Sequence, residues 1–328
     1  MRILVKGAGV AGLTVAWQLY RHGFDVTIRE RAERAGAGAS GFAGGMLAPW
    51  CERESAEEPV LTLGRLAADW WEAAVPGHVQ RRGTLVVAGG RDASELDRFA
   101  ARTRGWEWLD EAGISALEPD LAGRFRKALF FRQEAHLDPR KALSALMAGL
   151  EDGRMRFLFG HAGESNEGRY ERVIDCTGAS QIGHMPELRG VRGEMFTLET
   201  GEITLSRPVR LLHPRHPIYI VPREKDRFMV GATMIESEDA GPITARSLME
   251  LLNAAYALHP AFGEARLVET GAGVRPAFPD NLPRVTDDGD TIHVNGLYRH
   301  GFLLAPAMAG EVARRLLVQQ QQPERRAS

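Results

Sequence analysis

The sequence predicts a mixed α/β (α+β) fold, in which a doubly wound domain is built from both ends of the chain and an antiparallel-sheet domain is inserted in it. Three observations predict this arrangement. A short apolar strand over residues 2–6 runs into a glycine-rich turn and a helix over residues 13–22. The middle of the chain is rich in strand patterns, and a strand followed by a helix closes the chain.

The composition is that of a globular chain long enough for two domains or for one large domain with an insertion. The chain has 328 residues, of which 44% are hydrophobic and 26% charged, with a net charge of -2. This charge argues against nucleic acid or an anionic membrane as the main partner, and no apolar run is long enough to span a bilayer. The two cysteines, Cys51 and Cys176, are too few for a disulfide framework or a metal cluster. We therefore expect a reducing, cytoplasmic setting and no metal.

The turn Gly7-Ala8-Gly9-Val10-Ala11-Gly12 is the dinucleotide fingerprint of a Rossmann-like domain. Gly7 allows the tight turn, Gly9 leaves room for a pyrophosphate, and Gly12 lets the helix pack on the strand. The helix N-terminus offers free N–H groups and a partial positive charge to the phosphates. Glu30 ends the second strand, where a carboxylate accepts hydrogen bonds from a ribose diol.

Three later segments also point to a bound ligand. Residues 36–49 are rich in glycine and alanine but end in the apolar run Met46-Leu47-Ala48-Pro49, which favours a loop that touches a ligand over a solvated linker. A buried strand ends at Thr177-Gly178, where the backbone could pass close to a nucleotide. Residues 295–306 read as a strand end, a glycine turn and a helix from about Ala307, which aims a second helix N-terminus at the ligand.

The remaining elements are predicted from periodicity and from turn residues. Helices are expected over residues 58–74, 93–104, 139–150, 244–257 (capped by Thr244) and 307–319. Strands are expected over residues 83–88, 128–132, 154–159, 172–176, 194–200, 218–222, 227–233, 267–274 and 291–295. The nucleotide-binding domain is assigned residues 1–80, 135–190 and 270–328, and the substrate domain residues 81–134 and 191–269. The polar segment 319–328 is expected to be a flexible tail.

In this order, the motifs resemble the glycine oxidase/D-amino-acid oxidase family of FAD-dependent amine oxidoreductases, and within it most closely the glycine oxidases of thiamine biosynthesis. The resemblance covers nearly the whole chain. Its most specific pieces are Ala43-Gly44-Gly45-Met46-Leu47-Ala48-Pro49, Tyr219-Ile220-Val221-Pro222-Arg223, Val230-Gly231-Ala232-Thr233-Met234, Val274-Arg275-Pro276 and residues 295–306.

The resemblance implies non-covalent FAD, because no cysteine stands near residues 217–222 or beside Arg275, where a covalent link would be made. The implied cofactor-binding residues are Gly7, Gly9, Val10, Ala11, Gly12, Glu30, Arg31, Gly44, Gly45, Met46, Thr177, Gly178, Tyr298, Arg299, His300, Gly301, Phe302 and Leu303. The implied substrate-binding residues are Arg275, Arg299, Tyr219 and Met234. The residue that contacts the adenine stays unassigned.

The chemistry of an amino acid explains why an arginine is needed. A guanidinium meets a carboxylate with two parallel hydrogen bonds, which fixes both the position and the angle of the substrate. Arg275 is the candidate clamp, and Tyr219 either donates to the same carboxylate or packs in the core. The flavin carries the oxidation chemistry, so orientation matters more than a protein acid or base, and we expect no such catalytic group. His300 is the histidine to test, because it lies in the flavin segment.

By resemblance, we expect the oxidation of glycine, or of another small amine or D-amino acid, to the imine, with O2 reduced to H2O2 and the product used to make the thiazole of thiamine. A D-amino-acid dehydrogenase with another electron acceptor, a non-catalytic flavin-binding protein and an NAD-dependent dehydrogenase remain as alternatives. The substrate preference, the physiological acceptor and the oligomeric state stay open, although relatives are often homo-oligomers.

Overall fold

The computed structural model describes residues 1–153, 155–160, 167–213 and 215–320. Its α-helices are α1 (Val10–Arg21), α2 (Pro49–Glu52), α3 (Glu58–Gly64), α4 (Ala67–Ala74), α5 (Ala93–Arg102), α6 (Glu111–Leu117), α7 (Pro139–Asp152), α8 (Ala245–Leu258) and α9 (Gly301–Gln320). Its strands are β1 (Arg2–Lys6), β2 (Asp25–Arg29), β3 (Met46–Leu47), β4 (Thr84–Ala88), β5 (Glu107–Asp110), β6 (Lys127–Phe131), β7 (Ala135–His136), β8 (Arg156–Leu158), β9 (Arg172–Asp175), β10 (Arg189–Glu199), β11 (Val209–Leu212), β12 (Ile218–Arg223), β13 (Arg227–Gly231), β14 (Ile235–Glu236), β15 (Arg266–Ala277), β16 (Arg284–Asp287) and β17 (Thr291–Asn295).

A six-stranded sheet unites the two ends of the chain, as predicted. Its strand order is β16-β17-β9-β1-β2-β8. Five of these strands are parallel and β16 is antiparallel to β17. The central strand β1 is buried at Ile3, Leu4 and Val5, because a parallel sheet is covered by helices on both faces.

A nine-stranded sheet forms the second layer of the fold, in the order β14-β10-β13-β12-β11-β4-β6-β5, with β15 paired to β10. Neighbouring strands are antiparallel, except that β11 runs parallel to β4. The long strands β10 and β15 pair antiparallel from Arg189 opposite Ala277 to Glu199 opposite Arg266. The predicted mixed α/β fold with an antiparallel-sheet insertion is confirmed, while the domain boundaries stay a prediction.

The two sheets have separate hydrophobic cores. One core packs α1, α7 and α9 around the parallel sheet, with Leu13, Leu146 and Leu304 fully buried. The other packs α8 on the antiparallel sheet, with Ile220 and Val230 fully buried. Because each layer has its own core, the surfaces between the layers are free to form a binding cavity.

The last helix begins six residues earlier than expected. The prediction of a start near Ala307 is wrong, because α9 begins at Gly301 and carries Pro306 inside it. A proline has no N–H to donate to the carbonyl four residues before it, here that of Phe302. The indole Nε1 of Trp71 donates to that carbonyl oxygen at 2.8 Å, so the helix continues through the proline.

Other differences are local. The helix expected over residues 58–74 is divided into α3 and α4 after Gly64, a weak helix former. Patterning missed the short strands β3, β5, β7, β11, β14 and β16.

The strand expected from Arg154 is observed as β8, and Arg154 itself lies outside the described residues. Gln319 and Gln320 belong to α9, so the predicted tail cannot begin at 319, and residues 321–328 lie outside the described part.

Candidate active site

A cavity of about 1070 Å³ lies where the carboxyl ends of β1, β2 and β9 meet the second sheet. Open α/β sheets bind ligands at this edge. One end of the cavity, which we call the nucleotide end, is lined by Gly7, Gly9 and Glu30. The other, which we call the substrate end, is lined by residues of the second sheet, of the loop between β13 and β14, and of the turn before α9. These are Tyr219, Met234, Arg275 and Arg299.

At the nucleotide end, the glycine turn is as tight as the fingerprint requires. Gly7 has a φ of +95°, a conformation that L side chains rarely adopt. A Cβ atom at Gly12 would lie 1.8 Å from the carbonyl oxygen of Gly7, so only glycine lets α1 pack against the turn. The N–H of Val10 donates to Ser40 Oγ at 3.1 Å, and the first turn of α1 faces the cavity. This arrangement suits the approach of a phosphate.

Glu30 closes the wall beside this turn. Its two carboxylate oxygens accept hydrogen bonds from the backbone N–H groups of Ala8, at 2.7 Å, and of Ala32, at 3.0 Å. A carboxylate has about four acceptor positions, so Glu30 retains the capacity to accept from a ribose diol. Glu30 is therefore fixed in place at the cavity wall where the sequence predicts it.

A second helix N-terminus reaches the cavity from α9. Residues 297–303 all line the cavity, and Tyr298 takes the left-handed conformation with φ 48°. His300 is buried, and burial lowers its pKa to about 4, so its imidazole is neutral at neutral pH. The Nδ1 atom of His300 lies 3.4 Å from Glu52 Oε2 but makes no well-aligned hydrogen bond among the described residues. A neutral imidazole here cannot supply a positive charge to a ligand.

Arg275, on β15, extends across β10 into the substrate end. A Cβ atom at Gly193 would lie 2.0 Å from Arg275 Nη2, so the missing side chain of Gly193 leaves the path of the guanidinium open. Nη1 donates to the carbonyl oxygen of Thr233 at 3.1 Å. Among the described residues no carboxylate lies within ion-pair distance of this guanidinium, and burial lowers its pKa. Arg275 is half-buried, and a partly desolvated cation without a carboxylate partner favours an anionic ligand.

Arg299 has a partner. Its Nε and Nη2 atoms donate to Glu52 Oε2 at 2.9 and 2.6 Å. The other oxygen of Glu52 accepts from Arg210 Nη2. Burial raises the pKa of Glu52, but the adjacent guanidinium groups of Arg210 and Arg299 lower it more, and the pKa lies well below its usual range. Glu52 is therefore an ionised, buried carboxylate shared by two arginines.

The other two candidate substrate-binding residues differ in exposure. Tyr219, on β12, is half-buried and lies opposite Gly231 of β13 in the sheet. Met234 is 52% exposed, at the rim of the cavity. Its sulfur accepts from Arg299 Nη1 at 3.4 Å and from the Tyr298 hydroxyl at 3.6 Å. Met234 therefore lines the rim of the cavity and is not a buried contact.

The structure brings the predicted residues together from distant parts of the chain. With one exception, every predicted cofactor-binding and substrate-binding residue lines the cavity. The exception is Gly12, which packs behind the turn. Sequence reasoning missed Glu52, Arg210 and Gly193. Glu52 stands three residues beyond the loop that was singled out, and its charge in an apolar segment was an available signal. Arg210 lies on the unpredicted strand β11, and nothing in the sequence indicated Gly193.

The described residues lack two features that would suggest other chemistry. They contain no group of three or more His, Cys, Asp or Glu side chains placed to hold a metal ion. They also contain no helix long and apolar enough to cross a membrane. Both cysteines are buried with free thiols, and burial raises the pKa of each.

Comparisons with known proteins agree on one family. Residues 2–315 match the family described as FAD dependent oxidoreductase (DAO). A Rhizobium etli protein, provisionally named thiamine biosynthesis oxidoreductase ThiO, is 82% identical over 100% of both chains. The glycine oxidase of Bacillus licheniformis is 25% identical, over 96% of this chain and 92% of its own. The crystal structure of glycine oxidase from Geobacillus kaustophilus aligns with a TM-score of 0.78 at 22% identity, covering 96% of this chain and 95% of that one.

Proposed function

Because the chain belongs to the FAD dependent oxidoreductase family, which its match over residues 2–315 shows, we propose that this FAD-dependent enzyme oxidises glycine, or another small amine or D-amino acid, to the imine. The proposed acceptor of the electrons is O2, which is reduced to H2O2. The single observation that carries the choice of substrate is Arg275, a half-buried guanidinium without a carboxylate partner among the described residues.

The residues at the cavity fit the cofactor of the family. Gly12 and Gly7 form a turn too tight for any other residue at Gly12, and Glu30 is held at the wall beside it. The N-termini of α1 and α9 both face the same cavity, where they favour negative charge. When bound, FAD supplies the oxidised ring that accepts two electrons from the amine. We infer that FAD is held non-covalently, since neither cysteine lines the cavity.

The task of the protein is then to hold the substrate. Two parallel hydrogen bonds from Arg275 to a carboxylate would fix the direction of the Cα–H bond. Tyr219, which lines the same end of the cavity, is available as a further donor. With a pKa of about 4, His300 has no proton to donate as an acid at neutral pH and is only a weak base, and Glu52 is engaged by two arginines. Positioning therefore accounts for the contribution of the side chains.

The pathway role is a further part of the proposal. The relative that is 82% identical carries a thiamine biosynthesis name, which supports the use of glycine imine for the thiazole of thiamine. The glycine oxidase name of the Bacillus licheniformis relative supports glycine as the substrate.

An anaerobic flavin-reduction screen tests the proposal. Purified enzyme with FAD is mixed with glycine, sarcosine and a set of D-amino acids, and the loss of the oxidised flavin band is followed. We expect glycine or sarcosine to bleach the band, and readmitted O2 to restore it with the formation of H2O2. Bleaching without reaction with O2 would indicate a dehydrogenase with another acceptor. Tight flavin that no amine bleaches would indicate a non-catalytic binding protein and would contradict the proposal.

A further inference from the structure

The substrate end of the cavity holds more positive charge than one carboxylate ligand needs. Arg210, Arg275 and Arg299 all line the cavity. Glu54 and Glu194 also line it, but Glu54 Oε1 accepts from Arg102 Nη1 at 3.2 Å, and Glu194 Oε1 accepts from Arg192 Nε and Nη2 at 3.0 and 2.8 Å. Glu52 is therefore the carboxylate that faces the other arginines, and its partners determine which guanidinium is available to a substrate.

The geometry around Glu52 uses all the nitrogens of one arginine. Arg299 Nε and Nη2 both donate to Glu52 Oε2, and Arg299 Nη1 donates to the sulfur of Met234. Arg275 differs, because Nη1 donates to a backbone carbonyl and no carboxylate of the described residues lies within ion-pair distance. The two guanidinium groups line one cavity, but only that of Arg275 is left for an anion.

Glu52 is held so that this pairing persists. It is the last residue of α2, its side chain is 8% exposed, and Arg210 on β11 binds its other oxygen. Arg210 is itself buried, so Glu52 is fixed from the side of the second sheet as well as from the turn before α9. Removing one partner from a buried ion pair leaves the other charge uncompensated, which favours any new anion that can reach it.

We propose that Glu52 determines specificity by occupying Arg299, so that the site accepts substrates with one acidic group and excludes those with a second. The inference rests on the proposed function and deepens it. The favoured class is a small amino acid with one carboxylate, held by Arg275. Without the charge of Glu52, Arg299 would become the binding group for a second carboxylate, and the preferred class would shift to amino acids with two acidic groups.

The test uses an unreactive pair of acids that have nearly the same shape. Malonate carries two carboxylates, and malonamate replaces one of them by a neutral amide. Each acid is titrated into the enzyme with FAD bound, and the dissociation constant is read from the change in the flavin spectrum. Wild-type enzyme is expected to bind malonate more weakly than malonamate, because Glu52 occupies Arg299 and its negative charge repels a second carboxylate. In Glu52→Gln, the constant for malonate is expected to fall about tenfold or more relative to that for malonamate, as one added charge-assisted hydrogen bond would produce.

Two double variants serve as controls. Glu52→Gln/Arg299→Gln removes the freed guanidinium and is expected to abolish the gain for malonate. Glu52→Gln/Arg210→Met removes one negative and one positive charge and keeps Arg299. It takes the place of Glu52→Gln in the titrations if Glu52→Gln does not fold. The substrates D-aspartate and D-asparagine form a second matched pair. In Glu52→Gln, kcat/KM for D-aspartate is expected to rise relative to that for D-asparagine, and in Glu52→Gln/Arg299→Gln this rise is expected to disappear.

The outcomes separate this inference from the proposed function. A wild-type enzyme that binds malonate as tightly as malonamate, or more tightly, would overturn the role of Glu52, because a second carboxylate would then not be excluded. The proposal would also be overturned if the ratio of the malonate and malonamate dissociation constants in the folded variant equalled that of wild type. If neither acetate nor glycine perturbs the wild-type flavin, the proposed function itself fails. If both do and the malonate ratio does not move, only the inference about Glu52 fails.

Discussion

At the scale of single residues, the position of the Arg275 guanidinium depends on a residue without a side chain. Gly193 lies on β10, opposite Gly273 of β15, and the arginine crosses above it. The nearest atoms to a Cβ at Gly193 are the far end of that flexible side chain. A substitution there can be accommodated by moving the guanidinium, so it changes binding more than folding.

We predict that Gly193→Ala raises the KM for glycine about tenfold or more while FAD is retained, because a displaced guanidinium loses part of its two-point contact. Steady-state kinetics and the flavin absorbance measure the two quantities. Gly201→Ala is the matched control, since a Cβ at Gly201 meets nothing within 4 Å. Equal KM values for the two variants would mean that Gly193 does not direct Arg275.

Buried His300 makes stability depend on pH. Burial lowers its pKa from 6.5 to about 4. Below about pH 6.5 the unfolded chain binds this proton and the folded protein does not, so the free energy of unfolding falls as the pH falls from 6.5 towards 4, by up to about 3 kcal/mol. His136, whose pKa is lowered to about 3, contributes with the same sign.

Thermal unfolding of wild type and of His300→Gln between pH 7.5 and 4.5 measures this contribution. The Tm of the variant is expected to fall less steeply with decreasing pH than that of the wild type, with His136 acting equally in both. Parallel curves would show that folding does not change the proton binding of His300 in this window.

At the scale of elements, two helix N-termini define the cavity, and each depends on one close contact. For α1 the contact is between Gly12 and the carbonyl of Gly7. For α9 it is the indole N–H of Trp71, which satisfies the carbonyl of Phe302 that Pro306 leaves free.

Gly12→Ala is expected to weaken FAD binding about tenfold or more, because the added Cβ would lie 1.8 Å from the Gly7 oxygen and must push α1 away from the turn. The FAD dissociation constant, measured by titration of apoprotein, checks this. Gly310→Ala is the control, because it lies within α9 and its Cβ would meet nothing within 4 Å. Unchanged affinity in Gly12→Ala would contradict the packing role.

Trp71→Phe is expected to lower the free energy of unfolding by about 1–3 kcal/mol, since a buried carbonyl loses its donor. Trp70→Phe offers a comparison, because the Trp70 indole donates to Gln18 Oε1 at 3.2 Å in a less buried setting. Chemical denaturation of both variants gives the difference. If Trp70→Phe lowers the free energy of unfolding as much as Trp71→Phe does, the result would argue against a special contribution from the hydrogen bond between Trp71 and the Phe302 carbonyl.

At the scale of the whole molecule, two sheets with separate cores meet at one cavity, and the predicted residues from both ends of the chain line it. Much of this was predictable, because the fingerprint fixes the order strand, turn, helix and acid within thirty residues. The ends of β10 and β15 were less predictable, since their length depends on pairing with each other.

The pairing of charges was beyond sequence reasoning for a different reason. Glu52 and Arg299 are 247 positions apart, and Arg210 comes from a third segment. Only the packing of the second sheet on the turn before α9 brings these groups together. The start of α9 was missed because a proline normally argues against a helix interior, and the donor that compensates for Pro306 lies far away, in α4.

The most direct measurement is anaerobic flavin reduction by glycine in wild type and in Arg275→Ala, both loaded with FAD. Loss of two charge-assisted hydrogen bonds is expected to raise the glycine concentration for half-maximal reduction about 100-fold or more, with FAD content unchanged. Arg275→Lys, which keeps the charge but not the two-point geometry, is expected to fall between the two. If Arg275→Ala is reduced as readily as wild type at low glycine, this arginine does not hold the substrate.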